Sequence, residues 1–240
     1  MNQISSNGRQ INALDALCRY DTCTVSNAIE RFNVRPRNEG FVSGTAFCRF
    51  PTHPPVAGYA VTGRIQTYMP PMTGKCYYEH VEWWEHLTTL PAPRIMVLQD
   101  FDNRPGFGAI FGEVHARLCR AFSCVAYVTN GSVRDLGGVE SVGLQLFAGS
   151  VAVSHAYAHI VDFGEPVEIG GLSIRPGDIL HGDRNGIISV PPELVEKLPD
   201  MAERIRAEES ELFALTESPE FSVETLGAKL RSFAEKQACS

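Results

Sequence analysis

Long apolar runs and basic clusters are both missing from this sequence of 240 residues. No segment approaches the roughly 18 consecutive apolar residues that a transmembrane helix requires. The stretch from Met1 to Leu17 also lacks the charged region followed by an apolar region that marks a signal peptide. The net charge is -7 without long runs of one sign, so no basic patch is available for nucleic acid or an anionic membrane. We therefore expect a cytoplasmic protein that binds neither.

The seven cysteines form no C-x-x-C motif, a spacing typical of zinc and redox sites. Their number is odd, so reduced thiols in a cytosol fit better than a disulfide framework. Cys119 and Cys124 flank a predicted junction between a helix and a strand. We expect both to pack there as small apolar residues.

The composition favours a single domain, because 44% of the residues are hydrophobic and no compositional break divides the chain. Apolar residues at helical spacing predict two short helices within Ile11–Phe32, and further helices at Tyr77–Leu90, Glu113–Phe122, from Pro192 onward and at Val223–Ala238. Short apolar runs between glycine, proline and asparagine predict strands at Val42–Phe47, Val56–Ile65, Arg94–Gln99, Cys124–Thr129, Leu144–Phe147, Val151–Ser154, Pro166–Ile169, Leu172–Ile174, Asp178–His181 and Gly186–Val190. The mixture indicates an α/β protein.

Two features give finer expectations. Gly170-Gly171 and Asn185-Gly186 supply the positive φ angles of two-residue hairpins. Trp83 and Trp84 are neighbours and cannot both face the core from one helix. We expect Trp84 to be inside and Trp83 to lie at a subunit contact.

The stretch from Glu113 to Asp135 concentrates the residues suited to chemistry. Glu113 follows a glycine at a predicted helix start, and the pair Arg134-Asp135 follows 20 residues later, behind an apolar strand. A carboxylate suits a hard divalent cation and an arginine suits an oxyanion, so the set could bind a metal and a 2-oxo acid together. Two plain alternatives stay open. Glu113 could simply stabilise the helix dipole, and Arg134-Asp135 could be a solvated turn pair.

Several motifs together resemble the RraA-like family. They are Gly112-Glu113, the segment from Gly131 to Asp135, the stretch Val-Glu-Ile-Gly-Gly-Leu-Ser-Ile-Arg-Pro-Gly-Asp-Ile from Val167 to Ile179, and the segment from Asp183 to Ile187. The resemblance implies a swivelling β/β/α-type single domain with flanking N- and C-terminal helices. Its core would span about residues 17–207 and its C-terminal helices about 192–238. The family includes divalent-metal-dependent 4-hydroxy-4-methyl-2-oxoglutarate / 4-carboxy-4-hydroxy-2-oxoadipate aldolases and the regulator of ribonuclease activity A.

The resemblance also implies roles for individual residues. Asp135 would ligate Mg²⁺ or Mn²⁺, and Glu113 would reach the metal through a water. Arg134 would contact the C2 oxygen and carboxylate of the substrate, while Gly112 and the backbone amides of Val114 and His115 would receive that carboxylate. The implied reaction cleaves a C–C bond of a 4-hydroxy-2-oxo acid to release pyruvate, with oxaloacetate decarboxylation as a side activity. No lysine stands near these residues for a Schiff base, which is consistent with a metal-dependent route.

The assembly implied by the resemblance is a homotrimer or homohexamer. An acid from the C-terminal helix of a neighbouring subunit would complete the site, and Glu208, Glu209 and Glu211 are the candidates. The chain departs from the family around Ser154–His159, where the family often has an arginine- and glycine-rich loop. His155 and His159 are spaced for a helical metal pair, but the β-branched residues before them favour strand or loop. His155 could instead line the substrate pocket, or both could be structural.

Two other functions remain compatible with the sequence. One is a non-catalytic binding protein of the ribonuclease-regulator kind, and Asp135 argues against it because the regulator-type pattern lacks a metal-binding aspartate there. The other is a metal-dependent lyase or hydrolase that acts on a different oxo acid through the same site.

Overall fold

The computed structural model describes residues 13–72 and 81–238. After a short helical segment at 13–17, the helices are α1 (Thr22–Arg31), α2 (Val81–Thr89), α3 (Glu113–Ala121), α4 (Leu136–Val142), α5 (Leu198–Thr216) and α6 (Val223–Ala238). The strands are β1 (Phe47–Cys48), β2 (Val56–Gln66), β3 (Arg94–Asp100), β4 (Ala109–Phe111), β5 (Cys124–Val128), β6 (Ser132–Val133), β7 (Gln145–Ala148), β8 (Ser150–Val151), β9 (His159–Phe163), β10 (Val167–Ile169), β11 (Leu172–Ile174), β12 (Ile179–Asp183) and β13 (Gly186–Val190).

One large mixed sheet organises the domain. Its strand order is β1-β7-β5-β3-β2-β12-β13, and β9 also pairs with β2. The central strands β2, β3, β5 and β7 are parallel to each other, whereas the outer pairings are antiparallel. The segment 41–48 pairs with β13 at one end and with β7 at the other, so it nearly closes the sheet. The expected α/β fold is confirmed.

Alternate residues of the central strands enter two different cores. Val61, Met96 and Tyr127 face α2 and α3, whereas Ala60, Val97 and Ala126 face the hairpin of β10 and β11. Burial on both faces explains why these strands read as continuous apolar runs rather than as an alternating pattern. A third core packs α1 and α5 against β12 and β13. The central sheet is therefore a rigid support for the segments that leave its strands.

Helix α2 corrects the expectation for the two tryptophans. Trp83 is fully buried and packs with His86 and Phe163, while Trp84 is half-buried and stacks on Phe122 at 5.4 Å between ring centroids. The register explains the difference, because Trp83 and Leu87 are four residues apart and form the buried stripe. Trp83 is therefore a core residue and not a subunit contact. The rest of the predicted helix, from Tyr77 to His80, lies outside the described residues.

The other sequence expectations are mostly confirmed, but β4, β6 and β9 were not predicted, β8 is shifted to Ser150–Val151, and further differences concern single elements. The expected strand Val42–Phe47 is a single bridge followed by the two-residue β1. The hairpin at Asn185-Gly186 exists, but Asp183 pairs with Gly186, so its turn lies one residue earlier. Helix α4 was not predicted at all, because two glycines stand in its first turn. Cys119 and Cys124 are both buried at the junction of α3 and β5, as expected.

No helix within 13–72 and 81–238 is both long and apolar enough to cross a bilayer.

Candidate active site

A second, three-stranded parallel sheet brings the predicted site residues together. Its order is β4-β6-β8, with β6 in the centre. Gly112 and Glu113 directly follow β4, and Arg134 and Asp135 directly follow β6. Because parallel strands end at the same edge, the two segments emerge side by side, where ligands commonly bind in parallel sheets. The 20 residues between Glu113 and Arg134 form the rest of α3, the strand β5 and the connection into β6.

The backbone turns at Asp135 itself. Arg134 N–H donates to the carbonyl of Phe111 at 2.9 Å and ends the strand pairing, and Asp135 then takes φ 53° and ψ 42° before α4 begins. This left-handed conformation is unusual for a residue with a side chain. It lets two consecutive side chains share one side, with Arg134 Nε 3.3 Å from Asp135 Oδ1. The expected turn is therefore present, but not at Gly131, where the sequence suggested that it would be easiest.

The Asp135 carboxylate is available to a ligand. Asp135 occupies the N-cap position of α4, yet its side chain makes no capping hydrogen bond. The side chain is 44% exposed, compared with 26% for Arg134. An aspartate at this position normally accepts a backbone N–H of the helix. The conformation here presents the carboxylate outward, beside the guanidinium, instead.

Gly112 makes the space for this carboxylate. A Cβ built on Gly112 would lie 2.6 Å from Asp135 Oδ2 and 3.0 Å from Arg134 Cγ. The φ angle of Gly112 is -147°, which any residue can adopt. The requirement for glycine is therefore steric and concerns the two side chains of the site.

The start of α3 adds a site for an anion. The first backbone hydrogen bond of this helix runs from Ala116 N–H to the carbonyl of Gly112. The N–H groups of Glu113 and Val114 therefore have no partner inside the helix. The helix dipole places partial positive charge at the same end. The arrangement suits the carboxylate of a ligand.

The Glu113 side chain lies beside this set and pairs with Arg117. Its Oε1 accepts from Nε and Nη2 of Arg117 at 2.9 and 2.6 Å. A Cβ on Gly138 would lie 2.3 Å from Glu113 Oε2, so the carboxylate packs against the start of α4. Neither Arg117 nor Gly138 stands out in the sequence as a candidate site residue. The spacing of four residues between Glu113 and Arg117 was the available signal.

His115 has a structural side chain. The ring is buried, stacks on Phe111 and places Nδ1 2.6 Å from the carbonyl of Ile110. Since a carbonyl only accepts, Nδ1 carries the proton and donates. Burial lowers the pKa of His115 to about 3, so the ring is neutral at physiological pH. Only the backbone of this residue belongs to the candidate site.

His155 joins the site from the segment that follows β8. Its Nδ1 is 3.0 Å from Arg134 Nη1. A guanidinium can only donate, and Nε2 also lies 3.4 Å from Nη1, so whichever ring nitrogen faces the guanidinium accepts and the imidazole is neutral. The residue is exposed overall, but partial desolvation of the ring lowers its pKa, Arg134 lowers it further, and Asp135 opposes both effects. His155 and His159 do not lie on a helix, because residues 154–158 form a loop and His159 begins β9.

The chemistry of the donors fits a hard, hydrated cation. Within the described parts of the chain, no group of three or more His, Cys, Asp and Glu side chains is arranged to hold a metal. A single carboxylate is still a sufficient protein contribution for Mg²⁺, which keeps several of its waters. Asp135, with the open space beside Gly112, is the residue that matches this requirement.

The three acids proposed for a neighbouring subunit all lie on α5. Glu208 pairs with Arg31 of α1 at 2.8 Å, and Glu211 pairs with Lys229 of α6. Glu208 and Glu209 line a cleft of about 320 Å³ between α1, α5 and α6. Their contribution to a second subunit stays a prediction.

Comparison with known proteins identifies the family of this chain. A family model described as "RraA-like: Aldolase/RraA" matches residues 22–189. The chain belongs to the RraA-like family. The matched range includes β4, β6, α3 and every residue of the candidate site.

Individual relatives of this RraA-like protein are distant. A protein of Halalkalibacterium halodurans named "Putative 4-hydroxy-4-methyl-2-oxoglutarate aldolase" is 24% identical over 102 residues, which are 42% of this chain and 49% of that protein. The chain thus matches about half the length of that relative.

Two crystal structures share the fold. An uncharacterized protein from Pseudomonas syringae aligns with a TM-score of 0.70 at 18% identity, covering 89% of this chain and 92% of that one. Streptomyces coelicolor RraAS2, described as an unusual member of the RNase ES inhibitor RraA protein family, aligns with a TM-score of 0.64 at 20% identity, covering 85% and 95%. At these identities the likeness concerns the architecture.

Proposed function

We propose that this protein is a divalent-metal-dependent lyase that cleaves a C–C bond of a 4-hydroxy-2-oxo acid and releases pyruvate. The observation that supports it most is the outward pairing of Arg134 and Asp135 beside the start of α3. A 2-oxo acid has a carboxylate and a neighbouring carbonyl oxygen. Arg134, Asp135 with its metal and the start of α3 together match these two substrate groups. Membership of a family that includes named aldolases supports the same reaction class.

The residues of the chain would bind the pyruvoyl half of the substrate. As the resemblance implies, the backbone amides of Val114 and His115, beside Gly112, receive the carboxylate at the helix start. Arg134 donates to the C2 oxygen and to the carboxylate, since its planar guanidinium can form two parallel hydrogen bonds. This geometry holds the scissile bond between C3 and C4 in one orientation.

Bond cleavage moves charge toward Arg134. When the C3–C4 bond breaks, its electron pair forms the C2–C3 double bond, and negative charge develops on the C2 oxygen. The C4 hydroxyl gives its proton to water as C4 becomes a carbonyl carbon, and the enolate then takes a proton at C3 to become pyruvate. A guanidinium already in place stabilises the new charge without reorganisation, which lowers the barrier. Loss of CO₂ from oxaloacetate develops the same charge, so we propose decarboxylation as a second activity.

A divalent cation, Mg²⁺ or Mn²⁺, would be held by Asp135, with Glu113 bound indirectly through a water. When bound, it supplies Lewis-acid stabilisation of developing negative charge. Arg134 remains the fixed cation of the chain itself and keeps Asp135 oriented through its Nε contact.

His155 would contact the distal half of the substrate. Arg134 donates to one ring nitrogen, so the N–H of the other is available to donate to an oxygen of the group beyond C4. We also propose a homotrimer or homohexamer in which Glu208, Glu209 or Glu211 reaches the site of a neighbouring subunit.

The test is pyruvate release from oxaloacetate and from 4-hydroxy-4-methyl-2-oxoglutarate, followed with lactate dehydrogenase. Each assay is run with Mg²⁺, with Mn²⁺ and with excess EDTA. Pyruvate that depends on the metal supports the proposal, and the ratio of the two rates describes the preference for the distal group.

Two other results would contradict the proposed aldolase activity in different ways. Metal binding without pyruvate from either substrate would indicate a lyase or hydrolase that acts on another oxo acid. Absence of metal binding would favour a binding protein of the ribonuclease-regulator kind.

A further inference from the structure

Asp102 fixes the backbone immediately after β2. Its Oδ2 accepts three hydrogen bonds: from Thr67 N–H at 2.7 Å, from the Thr67 hydroxyl at 2.9 Å and from Tyr68 N–H at 2.9 Å. Asp102 itself is held by the buried carboxylate of Asp100, whose Oδ1 accepts the Asp102 N–H at 3.1 Å. One carboxylate oxygen therefore joins the ends of two neighbouring strands of the large sheet.

Thr67 extends these bonds toward the candidate site. The residue is fully buried. Its hydroxyl donates to Asp102, so its lone pairs can accept, and Gly108 N–H lies 3.2 Å from the hydroxyl oxygen. The carbonyl of Thr67 accepts from Tyr157 N–H at 3.0 Å. Thr67 thus contacts both the segment that enters β4 and the segment that contains His155.

The segment 154–158 depends on these same elements for its position. Ala109 N–H donates to the carbonyl of Ser154 at 3.0 Å. Gly108 lies so close that a Cβ there would be 2.4 Å from the carbonyl oxygen of His155. Ala156 adopts a φ of 48°, a conformation that alanine takes only when the surroundings require it. The loop is therefore held from one side by Thr67 and by residues 108 and 109.

We propose that Asp102 is a positioning residue that keeps His155 against Arg134 by fixing Thr67, and through it the segment 154–158. Asp102 does not touch the substrate. The inference rests on the proposed function, because it concerns how the site selects the distal group through His155. It adds a residue from a different sheet to the determinants of substrate choice.

The first experiment is a double-mutant cycle with Asp102→Asn and His155→Phe. Asparagine keeps the size of the side chain but removes the charge that the three donors share. We measure kcat/KM for 4-hydroxy-4-methyl-2-oxoglutarate and for oxaloacetate, which lacks a substituent of the same length beyond C4. Each single variant should lower kcat/KM for the longer substrate about tenfold. If Asp102 acts through His155, the double variant should be no worse than His155→Phe alone. A product of the two losses, about a hundredfold, would overturn the proposal.

Matched variants separate positioning from a general loss of stability. Thr67→Val removes the hydroxyl that connects Asp102 to Gly108. It should reproduce the substrate preference of Asp102→Asn. Asp178→Asn is the control, because Asp178 Oδ2 also accepts a backbone N–H, that of Arg175 at 2.8 Å, but in the turn between β11 and β12, beside the middle of β2. The control should leave the ratio of the two kcat/KM values unchanged. A similar change of ratio in Asp178→Asn would contradict a specific role for Asp102.

A second readout does not need activity. Hydrogen exchange of the peptide that covers residues 154–158 should be at least about tenfold faster in Asp102→Asn and Thr67→Val than in the wild type, and unchanged in Asp178→Asn. Unchanged exchange in the first two variants would overturn the inference even if the wild type proves to be an aldolase. Faster exchange in these two variants, together with a wild type that releases no pyruvate, would support the structural link and reject only the proposed reaction.

Discussion

Two regions of this protein each place an aspartate and a histidine near one another, and they differ in what satisfies the polar groups. In the first, His181 and Asp183 lie on β12 and are both buried. Thr22 joins them, because its N–H donates to Asp183 Oδ2 at 3.0 Å and its hydroxyl lies 3.1 Å from His181 Nδ1. Asn185 N–H donates to the other oxygen of Asp183 at 2.7 Å.

In the second region, Asp135 and His155 are both connected to Arg134 and open to solvent. Asp135 makes no capping bond even though it stands at a helix start. The buried set uses its hydrogen bonds within the fold and ties α1 to β12, whereas the open set keeps its capacity for a ligand. Whether the hydrogen bonds of a carboxylate are satisfied within the fold, and not the residue type, therefore separates a structural carboxylate from a candidate catalytic one.

The largest effect is expected from substitutions in the open set of Arg134, Asp135 and His155. Arg134→Ala and Asp135→Ala should each lower kcat/KM for pyruvate release by about 10³-fold, the scale of losing one preorganised electrostatic group. The melting temperature should stay within a few degrees of the wild type, because both side chains are partly exposed. Steady-state kinetics and thermal unfolding check the two parts. Activity within tenfold of the wild type in either variant would move the site elsewhere.

Breaking the buried set should have the opposite profile. Asp183→Ala removes the acceptor of Thr22 N–H and Asn185 N–H, and leaves the buried Thr22 donor unsatisfied. We expect a loss of about 3 kcal/mol in the free energy of unfolding. Urea titration measures it, and kcat per folded molecule should not change. An unaltered stability would show that water replaces the carboxylate, and the contrast between the regions would then be weaker.

A steric change tests how tightly the open set is arranged. Gly112→Ala should lower kcat about 10²-fold, since its methyl group would displace Asp135 Oδ2 and Arg134 by fractions of an ångström to 1 Å. Gly137→Ala, in the first turn of the neighbouring helix α4, is the control because a Cβ there meets nothing within 4 Å. The control should retain activity and gain about 0.5 to 1 kcal/mol of stability. Equal kinetics for both variants would contradict the steric role of Gly112.

The smallest effect concerns pH and the buried histidine. Burial lowers the pKa of His181, and the nearby carboxylates of Asp183 and Asp21 oppose this only in part. The unfolded chain therefore binds a proton that the folded chain does not, so this contribution is present above the ordinary imidazole pKa of about 6.5 and is lost as pH falls. The slope for one proton is at most about 1.4 kcal/mol per pH unit. Unfolding free energies between pH 7 and pH 5 should fall less steeply in His181→Gln, and identical slopes would contradict the assignment.

Much of the architecture could be predicted from local patterns. Strands Leu172–Ile174 and Gly186–Val190 and the helix Val223–Ala238 have the predicted bounds, because glycine pairs and helical spacing mark them directly. Helix α4 and the orientation of Trp83 could not be predicted in the same way. Both depend on what packs against them, and a short helix with two glycines has no local signal strong enough to identify it.

For the candidate site, the chain sequence by itself determined which residues are available and that Arg134 and Asp135 follow an apolar strand. The motifs were also sufficient to indicate the RraA-like family, which the matching family model confirms. Only the tertiary structure decided that Asp135 turns outward, that Glu113 pairs with Arg117, that the His115 ring is buried and that His155 contacts Arg134. The physical reason is that side-chain direction depends on strand register, parallel pairing and loop attachment, and those are set by contacts between residues far apart in the chain.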